Sequence, residues 1–389
     1  MSFVNSYSRQ NIDQQDVNAV SQALLGDFLT QGPMVERFEQ QICEMVQTNY
    51  SLAVNSATSG LLLALMALGV NRTSLIWTSP NTFVSSANAA KHLGATVDFV
   101  DIDPLTWMIS PETLRAKLED CVNTSRPLPD VVVLVHFGGV SYDLNRFSVL
   151  AKKFNFKIVE DAAHAFGASY SNDKKVGCCV HSDICVFSFH AIKPVTTGEG
   201  GIVTTRCNNL YEKIKQLRTH GITRDPKHFE ASADGPWYYE QQSLGFNFRI
   251  TEIQCALGLS QIQRSDEFIE KKQDLNDTYK SQLNVDFTRT QLLPTGSITA
   301  NHLFPVLVHK EKRRQLYIHL QKAGIGVNVH YIPVYKHPYF KLTGSYGPCP
   351  NNDAYYEQTL SLPMHTHLST SEVVTICKKV NQFLERNHG

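Results

Sequence analysis

The sequence predicts an α/β fold: a mostly parallel seven-stranded sheet covered by helices on both faces, followed by a smaller C-terminal α/β domain. Three observations predict it. Seven short apolar runs lie between residues 51 and 205, and each reads as a strand buried on both faces. Helical segments separate them, the pattern of strand–helix–strand units that build parallel sheets. After Arg249 the texture changes to a long amphipathic stretch and a second, shorter set of elements. The expected division is therefore a large domain with its N-terminal segment at 1–250 and a small domain at 251–389.

Between residues 11 and 25, Ile12, Val17, Val20, Leu24 and Leu25 recur at helical spacing, and Gly26 stops that helix. A link from Asp27 to Pro33 follows, with the proline suited to the first turn of the next helix, whose Phe38, Ile42 and Met45 share a face. Strands are read at 51–54, 75–78, 96–100, 131–135, 157–160, 184–188 and 202–205. Residues 251–283 carry Ile253, Leu257, Leu259, Ile262, Phe268 and Leu275, which predicts one long bridging helix. Beyond it come a strand at 302–308, a helix bearing Leu316 and Leu320, a strand near 326–329, a Pro- and Tyr-rich loop and a terminal helix.

The chemistry centres on the stretch from Ser188 to Gly201, which begins where a buried strand emerges at the edge of the sheet. Within it Lys193 sits between Ile192 and Pro194. Apolar neighbours disfavour the ammonium form and leave an amine able to form an imine with an aldehyde. Asp161 ends another strand, placed to pair with a pyridine nitrogen; it equally suits the N-cap of a helix starting at Ala162. Ala57 and Thr58 open a helix whose free N–H groups suit a phosphate, with the Ser188 hydroxyl as second anchor. His164, one turn after Asp161, is placed to donate to a ring hydroxyl, and Phe83 to lie on the face of a pyridine ring. An imine-forming lysine, a carboxylate and a phosphate cradle are together what pyridoxal phosphate (PLP) requires.

Other readings are weaker. The glycines from Gly198 to Gly201 precede a strand and do not form G-x-G-x-x-G, which disfavours a dinucleotide. His365-Thr366-His367 has no carboxylate or thiolate cluster to complete a shell, so no metal is expected. Lys plus Arg equals Asp plus Glu at 36 each with no long single-sign run, which argues against nucleic acid and for a small-molecule partner. The N-terminal residues lack a basic-then-apolar leader and no apolar run approaches the ~20 residues that span a bilayer, so a cytoplasmic protein is expected. Nine cysteines, scattered except for Cys178-Cys179, read as reduced packing residues.

Taken together these residues resemble the DegT/StrS-type sugar-nucleotide aminotransferases, PLP-dependent transferases of fold type I (aspartate aminotransferase-like). The resemblance covers nearly the whole chain. It is carried by Leu29 to Pro33, Asn55 to Ser59, Pro80 to Asn88, Val135 to Gly139, Glu160 to Gly167, Ser188 to Gly201, Leu217 to Gly221, Gly245 to Arg249 and Gln254. Within the family, Ser188-Phe189-His190, the stretch from His220 to Pro226, the stretch from Asp234 to Gln241 and the stretch from Gly326 to Val334 are similar to the subgroup that serves pseudaminic acid biosynthesis. His164 stands where many members have glutamine, and Gly60 where alanine is more usual, a change that weakens a helix interior slightly.

The resemblance implies that Lys193 is the Schiff-base lysine, Asp161 the pyridine partner and Phe83 the stacking ring. It implies a homodimer with shared active sites, in which Asn247 reaches the phosphate of the neighbouring subunit. It also implies that Tyr7, the link residues Asp27, Phe28, Leu29 and Thr30, and the stretch Asn328, Val329, His330 and Tyr331 line the sugar-nucleotide site. The implied reaction is a ping-pong transfer of the amino group of L-glutamate to C4 of a UDP-4-keto-6-deoxy-N-acetylhexosamine, UDP-2-acetamido-2,6-dideoxy-β-L-arabino-hex-4-ulose. Alternatives stay open: an aminotransferase acting on the D-series epimer, and a non-catalytic PLP-binding regulator. Lys193 counts against a sugar dehydratase of the same fold, in which histidine replaces the lysine.

Overall fold

A computed structural model describes residues 5–171 and 173–386; residues 1–4, part of the stretch read for a leader, lie outside them. The chain opens with helices α1 (Gln14–Leu24) and α2 (Pro33–Val46). Then β1 (Tyr50–Val54), α3 (Ala57–Ala67), β2 (Leu75–Thr78), α4 (Ser85–His92), β3 (Thr96–Phe99), α5 (Pro111–Asn123), β4 (Val131–Val135), α6 (Leu144–Phe154), β5 (Lys157–Asp161), β6 (Ile184–Ser188), β7 (Gly201–Thr205) and α7 (Asn208–Arg218) follow. The seven strands form one sheet in the order β1-β7-β6-β5-β4-β2-β3. The five from β6 to β3 are parallel, whereas β7 is antiparallel to both of its neighbours.

Strand alternation divides the core between the two faces of this sheet. Val132, Leu134, Ile158 and Phe187 join one apolar cluster, and Val131, Val133, Val159 and Val186 join another. Helix α3, with Leu61, Leu63, Ala64 and Leu65 all buried, lies directly on the second face. A Cβ added at Gly60 would come within 2.8 Å of Val186 Cγ1 and 3.1 Å of Val203 Cγ2. The glycine read as a slight weakness is the point of closest approach between helix and sheet, and what it gives up in propensity the contact offsets.

A small arm, β8 (Ile222–Thr223) paired with β9 (Glu240–Gln241), precedes α8 (Glu252–Ile262) and α9 (Ser265–Gln282). The single bridging helix expected over 251–283 is thus two helices, broken at Gln263 and Arg264, where the guanidinium turns to Asp13 and Asp16 on α1. Next come β10 (Arg289–Thr290), β11 (Phe304–Leu307), α10 (Lys310–Lys322), α11 (Pro338–Thr343), α12 (Pro350–Gln358), β12 (Thr359–Leu362) and α13 (Thr370–Arg386), with β10-β11-β12 forming an antiparallel sheet. A third apolar cluster is drawn from Leu275 to Leu384. The strand expected near 326–329 is instead two isolated bridges, Asn5 with Ile325 and Asn328 with Ser361.

Helix α1 departs most from its sequence pattern. Ile12, Val17, Leu24 and Leu25 are exposed, Leu25 at 89%. The buried side is Ala23 and Asp16, whose carboxylate accepts from Gln261 and Arg264 at 2.6 Å. A hydrogen-bonded charge therefore docks this helix, and its apolar stripe faces outward.

Candidate active site

Three parallel strands and one antiparallel strand end at the same edge. Register pairs Val135 with Asp161, Asp161 with Val186, and Ser188 with Gly201, so the ends of β4, β5 and β6 and the start of β7 converge. Helix α3 opens beside them: a Cβ at Gly201 would lie 2.6 Å from Ala57 N, so only glycine lets the strand pass this close. A cavity of about 600 Å³ occupies the junction. It is lined by Tyr7, Ala57, Thr58, Phe83, Asp161, His164, Ser188, Lys193, Asn328, Val329, His330 and Tyr331, among others.

Each side chain is held by identifiable contacts. Ser56 caps α3, its Oγ accepting from Ser59 N at 3.1 Å, which leaves the N–H groups of Ala57 and Thr58 without a protein acceptor among the described residues. Such groups, with the positive end of the helix dipole behind them, form an anion site. Asp161 is buried; Oδ2 accepts from Ser86 Oγ at 2.6 Å and Oδ1 from Ala163 N at 3.2 Å. No helix begins at Ala162: residues 162–167 are turns, so Asp161 caps a turn and His164 follows it through that turn. Glu160, one residue earlier on β5, points to the opposite face and binds His136, Tyr170 and Ser182.

Lys193 Nζ has one hydrogen-bond partner among the described residues, His302 Nε2 at 3.4 Å. Burial lowers its pKa from 10.5 to about 8, with the Asp161 charge working the other way. The surrounding histidines are held neutral. Burial, then the Lys193 charge, pushes His164 and His302 well below the usual range and His330 down to about 3. Gly138 N–H donates to His164 Nδ1 at 3.3 Å, so in the neutral ring Nε2 carries the proton and donates to Tyr331 OH at 3.1 Å. The ring hydroxyl of Tyr331 then has its own proton free for the cavity.

The N-terminal segment reaches this site because Asn5 bridges to Ile325, Gly326 N donates to Asn5 O, and Met364 N to Tyr7 O. His365 and His367, set aside as metal ligands, each face a backbone carbonyl here, of Ser6 at 3.1 Å and Gln10 at 3.2 Å. Phe83 is 59% exposed and lines the cavity with its ring 6.3 Å from that of Tyr331. Asp27, Phe28, Leu29 and Thr30 do not line it; they are exposed on a surface link tied down by Glu252 N donating to Leu29 O. Asn247 is also exposed and outside this chain's cavity.

Sequence reading missed two members of the site. Ser86 is a common residue in a helix and becomes visible only once α4 is placed against β5. His302 lies about a hundred residues from Lys193, and no local pattern connects them.

Residues 10–381 match the DegT/DnrJ/EryC1/StrS aminotransferase family. The chain is 35% identical over 385 residues to the UDP-4-amino-4,6-dideoxy-N-acetyl-beta-L-altrosamine transaminase of Campylobacter jejuni subsp. jejuni serotype O:23/36, covering 98% of each chain. Among solved structures it is similar to Helicobacter pylori PseC, an aminotransferase involved in the biosynthesis of pseudoaminic acid, with a TM-score of 0.88 and 32% identity over 99% of this chain and 100% of that one. It is also similar to Spr1654 of Streptococcus pneumoniae in its PMP form, with a TM-score of 0.87 and 28% identity over 98% and 99% of the two chains; that protein is also solved in its PLP form.

The residues present fit PLP. The bare N–H groups of α3, the buried Asp161 and the lysine with a lowered pKa surround one cavity, and each answers a different part of that cofactor. The PLP-dependent fold type I architecture and the residue match lead to one conclusion: the chain belongs to the DegT/DnrJ/EryC1/StrS aminotransferase family.

Proposed function

We propose that this aminotransferase moves the amino group of L-glutamate to C4 of a UDP-4-keto-6-deoxy-N-acetylhexosamine, UDP-2-acetamido-2,6-dideoxy-β-L-arabino-hex-4-ulose. The product is UDP-4-amino-4,6-dideoxy-N-acetyl-β-L-altrosamine, a precursor of pseudaminic acid. The observation that carries the reading is that Lys193, Asp161 and the opening of α3 share one cavity, in a chain whose full-length relatives carry that transaminase name.

PLP, when bound, supplies the electron-withdrawing ring that makes the donor's α-hydrogen acidic. The protein's residues do the rest. Ala57 and Thr58 would hold the phosphate by backbone N–H groups, with the Ser188 hydroxyl and Asn247 of the partner subunit as further anchors. Asp161, fixed by Ser86, would keep the pyridine nitrogen protonated. Phe83 would stack on the ring, and His164 with Tyr331 would address its hydroxyl. Lys193, once freed as an amine, would take the proton from the donor's α-carbon and return it at the cofactor's C4′ carbon. Tyr7 and the stretch Asn328 to Tyr331 line the sugar side.

A homodimer belongs to the reading. Val17, Leu24, Leu25, Phe28 and Leu29 form an exposed apolar run on α1 and the following link, the kind of surface that a second subunit covers. The division at 250/251 is kept as part of it, with the third apolar cluster as the core of the small domain. So is a cytoplasmic location: all nine cysteines are free, and among the described residues no helix is long and apolar enough to cross a membrane.

The test is to incubate the PLP-loaded protein and glutamate with each C5 epimer of the UDP-4-keto sugar and identify the amino product by NMR. The 4-amino sugar from the L-arabino epimer is expected. Product from the D-series epimer alone moves the substrate assignment, and no amino product from either sugar removes the catalytic reading in favour of a PLP-binding regulator.

A further inference from the structure

The proposed reaction gives Lys193 the proton-carrying role, but it leaves open what holds the freed amine in line. The cavity answers with His302. Its ring is 2% exposed, and Nε2 is the atom 3.4 Å from Lys193 Nζ. No sequence pattern or relative's name assigns it a role.

The position is built with some care. Residues just before β11 fold across the turn after β4: Thr299 Oγ1 donates to Gly139 O at 3.0 Å and His302 N to Gly138 O at 2.9 Å. Gly138 also donates its N–H to His164, so one glycine fixes both histidines, whose ring centroids lie 4.5 Å apart. Gly138 has φ +71, and a Cβ there would meet Gln291 Oε1 at 2.9 Å, so this clamp requires glycine. The cost of placing imidazole here is visible: His302 Nδ1 is buried without a hydrogen-bond partner among the described residues. Leaving a buried polar nitrogen bare costs on the order of 1–3 kcal/mol, which an apolar side chain of the same size would avoid. A histidine kept on those terms is kept for its other nitrogen.

We propose that His302 is a positioning residue that accepts a hydrogen bond at Nε2 from Lys193 Nζ whenever that amine is free, turning the amine's lone pair toward the donor's α-carbon. The inference rests on the reading of Lys193 as the cofactor-bearing lysine. The ring stays neutral throughout. Lys193 Nζ gains the α-proton and releases the same proton to the C4′ carbon, while His302 holds one of the other N–H bonds and gains nothing. The charged and titratable groups facing the pair suit this assignment. Asp161 is engaged by Ser86 and Ala163, His164 by Gly138 and Tyr331, His330 by Ser361, and Lys272 has no lone pair to offer as an ammonium.

The experiment uses PLP-loaded wild type, His302→Phe and His302→Gln. Four quantities are read: visible absorbance, the dissociation constant for PLP, the single-turnover rate at which glutamate bleaches the visible band as a function of glutamate concentration, and the isotope effect with α-deuterated glutamate. In H302F, PLP affinity and apparent glutamate affinity stay within about twofold, the limiting rate falls about 100-fold, as for misplacement of the group that carries the proton, and the isotope effect rises. In H302Q, whose amide oxygen is an acceptor of similar reach, about tenfold of that loss is recovered. A limiting rate and isotope effect in H302F equal to wild type overturn the proposal, as does a loss confined to PLP or glutamate affinity. Should H302F not hold PLP, H302Q and His302→Asn decide: slowed rates with raised isotope effects support it, and wild-type values in both overturn it. A wild-type protein whose visible band does not respond to glutamate takes down the functional reading itself, and this one with it.

Discussion

Ser86 Oγ donates to Asp161 Oδ2 at 2.6 Å, tying the first turn of α4 to the end of β5. Asp161 has little freedom left, since its other oxygen accepts from Ala163 N. The carboxylate is thereby aimed before any ligand arrives, which is how electrostatic stabilisation avoids reorganisation during the reaction. Asp161→Ala is expected to lower kcat by about 10²–10³-fold, the range for removing one preorganised partner. Ser86→Ala removes a hydrogen bond to a charged group, roughly 1.5 kcal/mol, and so costs about tenfold. Steady-state rates for both variants, with PLP content measured alongside, check the order: a Ser86→Ala rate equal to wild type would show that Ala163 suffices to aim the acid.

The lowered pKa of Lys193 fixes a pH dependence. Burial disfavours its ammonium, so the neutral amine that attacks an aldehyde appears as pH rises through about 8, not through the ordinary lysine value of 10.5. Uptake of PLP by cofactor-free protein, followed by the visible band, should therefore accelerate with a midpoint near pH 8. Lys193→Ala should show no band at any pH. A midpoint near 10 in wild type would mean that Nζ is solvated.

Lys272 offers a stability test of the same physics. On α9 it is buried with no acceptor for its ammonium among the described residues, and burial, then the Lys193 charge, lowers its pKa to about 8. The unfolded chain holds that proton up to 10.5, so between about 8 and 10.5 unfolding takes up a proton and stability rises with pH. Below about 8 the burial penalty is fully present. Lys272→Met removes it, so the variant should gain most in denaturation midpoint at pH 7 and lose the advantage as pH approaches 10.5. Equal gains at pH 7 and pH 10 would indicate packing, not charge, as the cause.

The sheet was legible because its strands are apolar on both faces and the chemistry sits at their ends: Asp161 closes β5, Ser188 closes β6, and Lys193 follows within one turn. Those are local facts, and sequence order carries them. What sequence could not carry is lateral. Whether the apolar stripe of α1 or its Asp16 faces inward depends on Gln261 and Arg264, some 245 residues away. The break between α8 and α9 depends on that same arginine. His302 enters the site only because β11 is delivered across Gly138. Gly60 was misjudged for a related reason: helix propensity is intrinsic, whereas the clearance to Val186 is a property of the packed sheet.

The link from Leu29 to Pro33 shows how such a distant contact holds the fold. Glu252, the first residue of α8, is buried, and its carboxylate accepts from Gly32 N at 3.0 Å, Met34 N at 2.8 Å and Val35 N at 3.2 Å. Pro33 has no N–H to contribute, so this one side chain caps the start of α2. Its backbone N–H meanwhile holds Leu29 O, and Gly32 is needed because a Cβ would lie 2.7 Å from the carboxylate. Glu252→Ala leaves three helix-terminal donors unpaired and should destabilise the protein by roughly 3 kcal/mol, read from urea unfolding. Glu252→Gln keeps an acceptor and should lose less. Because the link at Asp27 to Thr30 lies outside the cavity, any surviving Glu252→Gln enzyme should keep both half-reactions, with glutamate and with the sugar nucleotide, near wild-type rates. A sugar half-reaction that falls alone would show that the link does reach the sugar nucleotide, and would overturn its reading as a support of the fold.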